Sequence, residues 1–229
     1  MAWYRCIGGG SSPTPTAEAY IYNVGQCAFN TGYIPKTTTE IRMKAIPTLY
    51  SFNSTSGYNT MFGSCPNGDA NKYKRIGFNS TYNNNIVTFT RSDVVQSGHS
   101  PWSDTGNTDF LWLNVPNIFH ISGYRAEWWR VDDTSTINAI TVSDTTTMED
   151  GTTPIALFAN NYNTGTGYNV TNYGNMLLYY FEIYESGVLL HKFIPAYYNS
   201  QYCLYDMINQ TYIYDTVNSG NNVRGFIPS

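Results

Sequence analysis

An all-β fold rich in turns is the class this sequence predicts, and three observations predict it. Residues that suit a pleated, half-buried surface are abundant, with 27 Thr and 21 Tyr among 229 residues. Charged residues are only 12%, about half the usual share, while 25 Asn and 19 Gly supply turn positions. Apolar positions recur every second residue, the period of a strand. Aromatic residues at 16% argue against a disordered chain. The shortage of charged helix formers argues against a coiled coil or helical bundle. A net charge of −4 with 12 Lys and Arg argues against a nucleic-acid binder. No apolar run approaches the ~18 residues of a membrane span.

Residues 1–18 read as a separate leader. Trp3, Tyr4 and Arg5 form an aromatic patch ahead of Gly8–Gly10, Ser11 and Ser12, a flexible stretch, and then of the stiffer Pro13-Thr14-Pro15. Two readings stand: an extended peptide that anchors the chain on another protein, followed by a linker, or a frayed terminus. The start lacks the basic-then-apolar plan of a signal peptide. Residues 19–229 then form one domain.

Within that domain, Thr39–Ala45 alternates Ile41, Met43 and Ala45 against Glu40, Arg42 and Lys44, a strand with one buried and one wet face. Ile86–Thr90 and Phe119–Tyr124 have the same character. Met176–Glu185 is the longest apolar stretch, and its β-branched and aromatic content predicts a long central strand with Tyr179, Phe181 and Ile183 on the core face. Glu185-Ser186-Gly187 turns the chain into a return strand, Val188–Ile194. Many strands at short spacing fit a sandwich, a jelly roll or a barrel.

Chemistry-bearing motifs are scarce. Cys6, Cys27, Cys65 and Cys203 are too far apart in sequence for a zinc pair and read as thiols. His99 falls in a loop, His120 on a strand and His191 on a hairpin, and no pair has metal-site spacing. Asp104, Asn107 and Asp109 make only an incomplete calcium set. No cofactor and no metal are expected. Glu182 and Glu185, three apart, point to opposite faces of a strand. Trp112 and one of Trp128 and Trp129 read as core, since adjacent strand residues face opposite ways. Two surface candidates remain for sugar recognition: Trp102 in a polar loop, and the stretch Asn160–Tyr168, where Asn160, Asn161, Tyr162 and Tyr168 set aromatic faces beside amides.

Two stretches carry a resemblance. One is AYIYNVGQCAFNTGYIP at 19–35 with the alternating strand that follows. The other runs from IALFANN at 155–161 through NMLLYYFEIYE at 175–185 and FIPA at 193–196 to YCLYD at 202–206 and YIYD at 212–215. Together they resemble the concanavalin A-like lectin/glucanase (laminin-G-like) domains of gut bacterial surface proteins and of phages that infect gut bacteria. The opening Trp3-Tyr4-Arg5 with its Gly run looks like the leader of phage tail or head appendage proteins. The resemblance implies a jelly-roll β-sandwich of two antiparallel sheets and a carbohydrate-binding or adhesive role. Its glycanase branch carries Glu-x-Asp-x-x-Glu on one strand face, and that motif is absent here. The expectation is therefore a non-enzymatic, lectin-like, homo-oligomeric module exposed on a virion. It would bind host or mucus glycans and join other virion proteins through residues 1–18. The alternatives are a purely architectural virion protein, and a glycan-binding protein or glycan hydrolase on a bacterial surface.

Overall fold

A computed structural model describes residues 19–47, 58–65, 76–81, 87–91, 94–99, 115–142, 148–163, 168–171, 173–217 and 221–226. The strands are β1 (Tyr20–Asn23), β2 (Phe29–Asn30), β3 (Thr39–Pro47), β4 (Tyr58–Cys65), β5 (Ile76–Thr81) and β6 (Val87–Arg91). They continue with β7 (Val94–His99), β8 (Asn117–Ser122), β9 (Arg125–Arg130), β10 (Asp133–Thr141), β11 (Ala156–Leu157) and β12 (Asn160–Asn163). The last six are β13 (Tyr168–Thr171), β14 (Met176–Glu185), β15 (Val188–Tyr198), β16 (Gln201–Asp206), β17 (Thr211–Ile213) and β18 (Val223–Phe226). No helix occurs among the described residues.

The protein is an all-β sandwich of two packed sheets, consistent with a jelly roll. One sheet has ten strands in the order β10-β9-β8-β3-β14-β15-β16-β17, with β1 and β18 joined beside β14. The other has eight, in the order β13-β12-β4-β5-β6-β7, with β11 paired to β4 and β2 paired to β11. The chain leaves the first sheet after β3, builds β4–β7 in the second, returns for β8–β10, crosses again for β11–β13 and closes in the first. Among the described strands, pairing is antiparallel except between β12 and β4, which run parallel, and a lone bridge from Thr60 of β4 to Tyr173 is parallel too. This corrects the expected pair of wholly antiparallel sheets. The parallel pair brings backbones close at Gly63, where a Cβ would collide with Oδ1 of Asn160.

The predicted central strand is β14, flanked by β3 and β15. Its turn into β15 places Ser186 at φ 49° and Gly187 at φ 80°. Left-handed values at both central positions are the mark of the hairpin turn whose twist matches that of the strands. Asn199 and Ser200, at φ 49° and 64°, repeat the device between β15 and β16.

Inward residues of the two sheets interlock through aromatic rings. Phe62 of β4 meets Phe181 of β14 edge-on at 5.4 Å, and Phe78 of β5 meets Phe119 of β8 at 5.3 Å and Trp128 of β9 at 5.8 Å. Each such pair adds about 0.5–1.5 kcal/mol beyond the burial of its area. Phe181 and Ile183 are fully buried, as expected. Tyr179 is buried too, at 8% exposed, but not against the opposite sheet. The register between β14 and β3 shifts between Leu178 and Tyr180, so Leu178 takes the core place, and Tyr179 packs on Tyr20 at 5.7 Å, under the Lys44 ammonium at 4.9 Å. A bulge inserts one residue and so reverses the faces beyond it. Trp128 is the buried member of its pair, at 0% exposed. His99 ends strand β7 rather than lying in a loop. Cys27, Cys65 and Cys203 are buried and unbridged, and burial pushes the Cys27 thiol pKa well up.

Candidate functional site

The face of the ten-stranded sheet that points away from the core carries the densest set of chemistry-bearing side chains. Cross-strand register lines up Glu127 (β9), His120 (β8), Arg42 (β3), Glu182 (β14) and Lys192 (β15) in one row. With neighbouring strands about 4.8 Å apart, the row is about 19 Å long. Acidic and basic groups alternate along much of it, an order that avoids like charges directly opposite.

The contacts form one chain. Arg125 Nε donates to Glu127 Oε1 at 2.6 Å, and His120 lies between Glu127 (Nδ1 to Oε2, 3.7 Å) and Glu40 (Nε2 to Oε1, 3.0 Å). Arg42 places Nε at 2.9 Å and an outer nitrogen at 2.8 Å from the same Glu40 oxygen. Its guanidinium also sits 4.7 Å from the centre of the Tyr184 ring. The Tyr184 hydroxyl donates to Glu182 Oε2 at 3.0 Å, and Lys192 Nζ donates to Glu182 Oε1 at 2.7 Å. Hydrogen bonding to Glu40 raises the pKa of Arg42 and keeps it charged. Burial, and then the bond to Glu182, raises the pKa of the Tyr184 phenol. The exposed members of the row, Arg42 and Arg125, sit in ion pairs of the kind that contribute only about 0.2–1 kcal/mol each, whereas Glu182, 8% exposed, is buried beside Lys192.

Tyrosines border the row on the same face. Tyr198 and Tyr212 stack with centroids 4.3 Å apart and planes 5° from parallel, and Tyr205 lies 4.8 Å from Tyr212. All three are half-buried. They close over Ala196 and Cys203, small residues that are 1% and 0% exposed. At the other end of β14, Tyr20 stacks on Phe226 at 5.7 Å beside Tyr22 and Tyr179.

A second polar cluster serves the fold. Asp206, 1% exposed, accepts from His191 Nδ1 at 2.7 Å, Asn209 Nδ2 at 2.7 Å and the backbone amides of Lys192 and Ile208 at 3.2 and 3.1 Å. Burial alone would push this carboxyl up, but these bonds, led by Asn209 and His191, bring it below the usual range. The His191 ring stacks on Phe193, and Tyr33 meets it edge-on. The cluster therefore closes the β16–β17 turn onto β15.

The residues expected to bind sugar are placed differently. Asn161 is 2% exposed, and its Nδ2 donates to the Pro154 carbonyl at 2.9 Å. It ties a loop down and is not a surface group. Asn160 is half-buried against Gly63. Asn160–Asn163 and Tyr168–Thr171 are not one open loop but paired strands, with Asn163 opposite Tyr168. Tyr162 and Tyr168 sit in those strands. Trp102, Trp112, Trp3, Tyr4, Arg5, Cys6 and the Asp104–Asp109 stretch lie outside the described residues. Glu182 and Glu185 do face opposite ways: Glu185 accepts from the Tyr33 hydroxyl at 3.1 Å on the inner side. Sequence reading missed the row because its members come from five separated segments. The signal within reach was the wet face Glu40–Arg42–Lys44 opposite Tyr180, Glu182 and Tyr184. Among the described residues, no group of three or more His, Cys, Asp or Glu side chains could hold a metal ion.

No family model and no curated protein matches the chain. Among solved structures, the chain is similar to the crystal structure of scytalido-glutamic peptidase with a peptide-based transition state analog. The identity is 11%, the match covers 93% of this chain and 100% of that one, and the TM-score is 0.40. The matched structure is that of a peptidase, and the expectation of a chain without enzyme activity is withdrawn. A missing Glu-x-Asp-x-x-Glu motif excludes one catalytic plan only. At this TM-score the likeness carries no activity and no residue roles to this chain.

Proposed function

We propose that the chain is a lectin-like module, displayed on a virion, that binds host-surface or mucus glycans through the outer face of its ten-stranded sheet. The observation that carries this reading is the stack of Tyr198, Tyr205 and Tyr212 on the same outer face as Lys192, with Tyr205 paired to Ile194 two residues along β15 from Lys192. Sugars present apolar C–H faces that suit a tyrosine ring, and hydroxyls that suit carboxylates, ammonium groups and phenols. Tyrosine supplies a large apolar area with a polar tip. The sequence resemblance to concanavalin A-like domains supports the same reading, and the opening Trp3-Tyr4-Arg5 supports the virion setting. A glycan array probed with the full chain and with Tyr212→Ala tests the site. The expected result is binding by the first and at least a tenfold loss in the second. Loss of particle incorporation on deleting residues 1–16 tests the setting.

A further inference from the structure

We infer that the glycan held on this face is uncharged, a neutral polysaccharide rather than a uronate, sulfated, sialylated or amino glycan. The inference rests on the reading above and names its ligand class. A site for an anionic sugar keeps an arginine fork or an ammonium open for the carboxylate or sulfate, since bidentate, charge-assisted bonds make that recognition strong. Here the Arg42 fork is spent on Glu40, and Lys192 on Glu182. A site for an amino sugar keeps a carboxylate open, yet Glu40, Glu127 and Glu182 each already meet a cation or imidazole. Along the row itself, a charged sugar would therefore have to separate an existing pair before binding, while Arg224, bonded to backbone carbonyls, lies apart on β18 beside Tyr22. Neutral hydroxyls need no such step, because a paired carboxylate still has lone pairs to accept with. Of these carboxylates, Glu40 and Glu127 keep side-chain exposures of 19% and 27%.

The test is a glycan array spanning neutral, acidic and amino glycans, probed with the full chain at 50 and 500 mM NaCl. Neutral glycans should lead, with signals that change less than twofold between the two salts, because no ion pair forms on binding. Acidic or amino glycans in the lead, losing tenfold or more in high salt, overturn the inference and leave glycan binding standing. Binding to no glycan at all overturns both. Glu182→Gln leaves the Lys192 ammonium without its carboxylate and should raise binding to acidic glycans at least fivefold. Lys192→Met does the converse for amino glycans. Folded variants with no such gains, checked by circular dichroism, also overturn the inference.

Discussion

The two faces of β14 obey different rules, though their residues alternate along one strand. Inward, Phe181 and Ile183 are fully buried, and Phe181 meets the Phe62 ring of the opposite sheet. Outward, Glu182 and Tyr184 join a network that crosses five strands and stays partly wet. The inner face is governed by packing, where each removed methylene leaves a void. The outer face is governed by pairing, where losing an exposed member such as Arg42 or Arg125 costs little stability. Folding and recognition are thus separable on this sheet. A substitution should damage one or the other according to the parity of its position.

The largest effect belongs to the inner face. Phe181→Ala should cost about 3–5 kcal/mol, through lost burial and a cavity between the sheets. Equilibrium denaturant unfolding measures it, and a cost near that of a surface substitution would break the comparison.

Asp206 sharpens the comparison, because it is polar yet lies on the inner side opposite Phe193. Asp206→Ala should cost about 2–3 kcal/mol at neutral pH by leaving buried donors unsatisfied. Its folded pKa lies below the unfolded value of about 3.9, so the unfolded chain binds more protons near pH 4. The contribution is therefore complete above about pH 4 and falls away as pH drops through the folded value. Unfolding midpoints between pH 7 and pH 2.5 should show a shallower acid decline in the variant.

Gly63→Ala, in the eight-stranded sheet, should cost about 1–3 kcal/mol by forcing Asn160 away from its place. Asn160→Ala in the same chain should restore much of that loss, read as a coupling energy in a double-mutant cycle. Additive losses would mean that the close approach does not set the β4–β12 distance.

Much of the inner face is legible in the sequence. The alternation at Thr39–Ala45 and the apolar run at Met176–Glu185 follow from local period and composition, and both became strands. Tyr179 is buried as expected, but its packing on Tyr20 was not legible, because a bulge breaks the period and nothing local marks the extra residue. The parallel β12–β4 pair was hidden for a similar reason, since pairing partners are set by the whole topology. The outer row was the least legible feature. Glu40, His120, Glu127 and Glu182 are scattered over more than 140 residues, and only the register across β9, β8, β3 and β14 brings them together. Asn161 shows the opposite error: its amide suited a sugar by type, but it is used to hold the Pro154 carbonyl.

The most direct test compares glycan binding by the full chain, Tyr212→Ala and Trp102→Ala, with thermal unfolding recorded for each. The tyrosine platform requires Tyr212→Ala to lose at least tenfold in affinity while its stability stays within about 1 kcal/mol of the parent. Full affinity in that variant, together with loss of binding in Trp102→Ala, would move recognition off the sheet face.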